Sequence, residues 1–159
     1  MRARISRMLA VAVLLVSMAW VAAAAAGKDF IVLPAGYRDW KHVRSIAVSD
    51  PDHAMYGFHD GYANDAALRG LRARPVRFED GATFVVSIYE ISKEDGITTA
   101  GAKRRTVVQV KDRSAAATGS WRFAAFDPSG KPVPIDEASC FGCHSRARDT
   151  DFVFTAVRE

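Results

Sequence analysis

The chain has 159 residues, a formal net charge of +4, four histidines and only two cysteines. That length makes one domain once any targeting segment is set aside. No stretch joins clustered Lys and Arg to interleaved aromatics, so nucleic acid is excluded as the expected partner.

The first residues read as an export signal. Arg2, Arg4 and Arg7 precede the apolar "MLAVAVLLVSMAWV" and the small-residue run "AAAAA", the three zones that signal peptidase needs. Cleavage is expected after Ala24 or Ala26, giving residues 1–26 as signal peptide and 27–159 as a periplasmic domain. The competing reading is an uncleaved anchor, because Met8 to Ala26 approaches spanning length. Losing three arginines from +4 leaves about +1 on the mature chain.

Along the mature chain, "FIVLPAG" ends in a turn, and Tyr37 to Val43 is expected as a short helix burying Trp40. Tyr56, Phe58 and Tyr62 at even spacing predict a strand. "NDAALRGLRAR" predicts a helix capped by Asn64 or Asp65, with Ala66, Leu68 and Leu71 as its apolar stripe. "FEDGATFVVSIYEIS", "RRTVVQVKDR" and "GSWRFAAFD" read as turn-bounded strands rich in β-branched and aromatic residues. "DPSGKPVP" reads as a loop. Asp136 is expected to cap a short helix, "EASCFGCHSRA", and the apolar "TDFVFTAV" is expected to pack as a final strand. The fold class is α+β: an antiparallel sheet, a few short helices, and a late cysteine-bearing helix.

That late helix carries the chemistry. Cys140, Cys143 and His144 form C-x-x-C-H, the attachment signature of c-type haem. Residues three apart share one face of a helical turn, so both thiols can meet the two vinyl groups along one porphyrin edge. His144 then falls under the iron as proximal ligand. The rival readings are a zinc site, which wants four ligands and has only His42, His53 and His59 to draw on; a thioredoxin-like pair, which expects a βαβ setting; and a simple disulfide closing a very small loop. Only 15 residues follow His144 and none is methionine. The lone mature methionine, Met55, is a weak sixth-ligand candidate, and Arg146 and Arg148 are candidates for the haem propionates.

A late C-x-x-C-H preceded by strands and followed by "DTDFVFT" resembles the cytochrome P-460 and cytochrome c′-β superfamily. "LPAGYRDW", "GYANDAA" and "FEDGATFVV" are similar to other segments of that family, so the resemblance covers nearly all of residues 30 to 157. It implies a sheet packed on one covalently bound haem c, His144 as proximal iron ligand, and a homodimer. The P-460 type oxidises hydroxylamine, with a strand lysine cross-linked to the porphyrin and a pocket carboxylate. The c′-β type lacks the cross-link and binds nitric oxide or carbon monoxide in an apolar, often phenylalanine-lined pocket. The resemblance sets the cross-link position at Val86 or Ser87 and the carboxylate position at Val107. No lysine lies between Gly81 and Ile91, and valine moves no protons. An arginine that some members hold over the haem aligns with His59, beside Phe58, so both are distal candidates. The expectation is therefore a five-coordinate haem binding nitric oxide or a similar small ligand, with a possible redox partner protein. The alternatives are a hydroxylamine-oxidising or peroxidase-like enzyme and a six-coordinate electron carrier.

Overall fold

The fold is described from a computed structural model, and the described residues are 30–156. The expected signal segment, residues 1–26, lies outside them. Six strands run β1 (Lys41–Val48), β2 (Gly57–Ala63), β3 (Thr83–Glu94), β4 (Ile97–Lys111), β5 (Trp121–Phe126) and β6 (Pro132–Val133). They form one open sheet in sequence order, and every neighbouring pair is antiparallel. Of two helices, α1 (Asp65–Arg72) lies between β2 and β3, and α2 (Glu137–His144) follows β6. The α+β expectation holds, with an antiparallel sheet at its centre.

Side chains alternate across a strand, and the two sheet faces have separate cores. One face gathers Ala63, Phe84, Trp121 and Phe123 with Ala67 and Leu71 of α1, Phe78, and Val153 of the C-terminal segment; Cys140 and Phe141 of α2 pack against them. The opposite face gathers Tyr37, Val85, Val108 and Phe126. The helices and the tail all lie on the first face, so that is where the site is built.

Local chemistry explains most of the elements. Asn64 caps α1 by accepting from Ala67 N at 2.9 Å, and the same side chain accepts from Thr83 N at 3.0 Å, which ties the helix start to β3. The buried face of α1 is Ala67, Gly70 and Leu71, shifted from the expected Ala66–Leu68–Leu71 stripe. Only glycine fits position 70, because an added Cβ would lie 2.2 Å from the Phe78 ring. Asp136 caps α2 as expected, accepting from Ala138 N at 3.0 Å.

Three expectations are corrected. The helix expected at Tyr37–Val43 is a single 3-10 turn, Tyr37–Asp39, followed at once by β1. Trp40 is extended, and Val43, Ile46 and Val48 suit a pleated edge better than a helix. The loop around Pro132 contributes the short edge strand β6, paired to Ala125 and Phe126. The tail is not a strand. Residues Ser145–Thr150 form 3-10 turns, and Asp151 and Phe152 take φ of 51° and 66°, left-handed values that break any extended run. The tail packs instead through buried Asp151 and Val153.

Candidate haem-attachment site

The site is assembled from α2, the tail and the sheet face beneath them. Glu137, in the first turn of α2, is gripped by β5: Arg122 Nε donates to it at 3.1 Å and Phe123 N at 2.8 Å. This clamp fixes the helix that carries both thiols. Cys140 and Cys143 are half-buried and not joined to each other. Arg146 Nη2 donates to Cys143 Sγ at 3.0 Å. Burial pushes the Cys140 thiol up, with Asp136 and Glu137 adding to the shift.

His144 is oriented by the tail. Its Nδ1 lies 2.8 Å from the Phe152 carbonyl. A carbonyl only accepts, so Nδ1 carries the proton and Nε2 keeps its lone pair. Burial pushes the imidazole pKa down, against the opposing pull of that hydrogen bond, so the ring stays neutral. The Phe123 and Phe154 rings flank it, each with a centroid 5.1 Å away. A neutral imidazole with a fixed tautomer and a free Nε2 is the state an iron ligand requires.

The Phe152 carbonyl is itself held. Gln109 Nε2 donates to it at 3.3 Å. One residue earlier, Asp151 accepts from Lys111 Nζ at 2.8 Å and from Phe78 N at 3.1 Å, while its carbonyl accepts from Trp121 Nε1 at 2.9 Å. The left-handed pair at Asp151 and Phe152 turns the carbonyl toward the imidazole. "DTDFVF" is therefore the element that sets the histidine's tautomer. Gln109, Lys111 and Asp151 were not singled out from sequence; their contacts span 40 residues or more and leave no local signal.

Strand register places the remaining candidates. Gly61, Val86, Val107 and Ala125 are successive cross-strand partners, and His59, Ile88 and Arg105 form the next row. Both rows share the face of Ala63, Phe84 and Phe123, hence of His144. Val86 and Val107 are direct partners. Ser87, the alternative cross-link position, alternates to the other face and bonds Tyr37 Oη at 2.8 Å. Phe58 also alternates to that other face, opposite Tyr89. His59 is buried, and its Nε2 donates to the Met55 carbonyl at 2.7 Å. Burial lowers its pKa, and the Arg105 and Arg44 charges lower it further. Met55 Sδ accepts from Arg105 Nη2 at 3.5 Å. Arg148 is exposed.

These residues fit a covalently held haem and fit zinc poorly. Among the described residues no three His, Cys, Asp or Glu side chains gather to hold a metal ion. The paired thiols and a neutral, Nε2-free histidine, on a helix clamped to an antiparallel sheet, define a c-type haem protein of α+β class. The family model for cytochrome P460 matches residues 34–155. The chain belongs to the cytochrome P460 family, a family of monohaem c-type cytochromes. No curated protein matches it.

Proposed function

We propose that this chain is an exported monohaem c-type cytochrome with a five-coordinate iron held by His144, and that it binds nitric oxide or a similar small ligand without turnover. Cys140 and Cys143 would hold the haem through thioethers, and the haem would supply the ligand-binding iron. The observation that carries the reading is the direct pairing of Val86 with Val107 beside Gly61, on the face shared with His144. At the two positions where hydroxylamine chemistry needs an amine and a carboxylate, the chain has neither, and a general acid or base must reach the proton it moves.

His59 bears on the choice between readings. Its Nε2 proton is committed to the Met55 carbonyl, so that nitrogen is not free to become a sixth ligand. The same bond leaves Nδ1 as an acceptor, which favours a second reading: a peroxidase-like reaction with His59 as base. Export to the periplasm and homodimer formation are part of the proposal and rest on the sequence pattern and the family resemblance.

Absorption spectra of the purified protein, oxidised and reduced and then titrated with nitric oxide, test the reading. The expected result is a high-spin spectrum without a strongly red-shifted ferrous Soret band, and a new spectrum on adding the gas. A red-shifted band would mean a cross-linked haem, and a low-spin spectrum would mean a sixth protein ligand; either refutes the proposal. Cys140→Ala with Cys143→Ala should abolish the haem stain on a denaturing gel.

A further inference from the structure

Among the described arginines, Arg44, Arg105 and Arg122 are half-buried and the others are exposed. Arg122 is paired with Glu137 at 3.1 Å. Arg44 and Arg105 have no carboxylate partner among the described residues. Arg44 Nη1 donates to the Phe154 carbonyl at 2.7 Å. Arg105 Nη2 donates to the Ala54 carbonyl at 2.5 Å and to Met55 Sδ. More exposed strand and loop arginines do find acids: Arg104 meets Glu90 and Arg113 meets Asp80, each at 3.3 Å. A guanidinium has five N–H donors, and most of those on Arg44 and Arg105 have no protein acceptor among the described residues. Withdrawing a cation from water without an anion is unfavourable.

Their placement is also specific. Arg44 continues the row of Gly61, Val86 and Val107, and Arg105 that of His59 and Ile88. Both therefore rise from the sheet face of the haem-attachment site. Arg44 is further linked to His144 through Phe154, whose ring flanks the imidazole. Arg146, by contrast, sits on Cys143 Sγ.

We propose that Arg44 and Arg105 form an oxyanion clamp on the sheet side of the site. It would hold the haem's own propionate carboxylates or a free small oxyanion such as nitrite. The inference rests on the haem reading above. Guanidinium matches a carboxylate or nitrite with two parallel N–H donors, which an ammonium cannot do.

The test uses the haem-loaded protein and the variants R44Q, R105Q and R146Q. The midpoint potential is measured from about pH 3.5 to 7, a range that spans the ordinary titration of a free carboxylate near about 4, and nitrite affinity is read from the Soret band. If the clamp holds the propionates, R44Q and R105Q lower the potential and make it pH-dependent where the parent and R146Q are flat. If it holds a free oxyanion, the potential profile is unmoved and nitrite binds about tenfold more weakly in both variants, roughly the loss of one charged hydrogen bond. Variants that match R146Q in both measurements overturn the clamp. Melting curves for each variant separate a lost fold from a lost cation. A parent protein without a haem stain refutes the haem reading, whereas a stained parent with unmoved variants refutes only the clamp.

Discussion

Lys111→Met should destabilise the protein without releasing its haem. Lys111 and Asp151 are each 9% exposed, and their ion pair is 2.8 Å long. The Lys111 Nζ also lies 4.9 Å from the Trp121 ring centroid. Methionine keeps most of the volume but leaves the Asp151 carboxylate buried with only the Phe78 amide at 3.1 Å. Breaking one side of a buried pair costs about 3–5 kcal/mol, a large share of a total stability of about 5–15 kcal/mol. With a urea slope of about 2 kcal/mol per molar, the midpoint should fall by about 2 M. Adding Asp151→Asn removes the stranded charge and keeps an acceptor for Phe78 N. Asparagine also tolerates the left-handed φ of 51° at this position. The double variant should recover at least about 2 kcal/mol relative to the sum of the singles. Urea melts of the four proteins measure this coupling. A cost below about 1 kcal/mol for Lys111→Met, or no coupling, would show that the pair does not hold the tail. Haem stain should persist throughout, because both thiols are on α2.

Three other outcomes follow from the same structure. His59 has a folded pKa below its ordinary 6.5, chiefly through burial, so the unfolded chain takes up protons first on acidification. Its contribution to stability is complete above about pH 6.5 and drains away as pH falls; His59→Gln should flatten the acid limb of stability against pH, and an unchanged limb would argue against a buried neutral ring. Burial raises the Tyr37 phenol, but hydrogen bonding from Ser87, with Arg38 and Lys103 adding to it, outweighs this and brings it down to about 8. Phenolate absorbance should therefore rise near pH 8 and stability should gain from pH 8 toward 10, both lost in Tyr37→Phe. Gly119→Ala should cost about 2 kcal/mol, read as a melting temperature lower by several degrees, because φ is +63° and the new methyl would sit 2.7 Å from the Phe141 and Phe152 rings; a neutral result would mean those rings move freely.

The chemistry was legible in the chain because it is local. Cys140, Cys143 and His144 lie within one helical turn, and the Asp136 cap stands just before them. The helix after Asn64 and the β-rich middle could be read for the same reason: capping and alternation involve near neighbours. The tail could not. "TDFVFTAV" is apolar and β-prone, yet Asp151 and Phe152 are left-handed and held by bonds from Lys111 and Gln109 of β4, Trp121 of β5 and the Phe78 amide, all distant in the chain. Register was likewise invisible, and a one-residue slip exchanges faces; only the ladder puts His59, Val86 and Val107 on the site face and sends Phe58 and Ser87 to the other. Sequence alone thus determined that a c-type haem could be attached and where. The tertiary structure decided which histidine nitrogen is free for iron and which side chains share the site face, since both depend on hydrogen bonds and strand pairings between residues far apart in the chain.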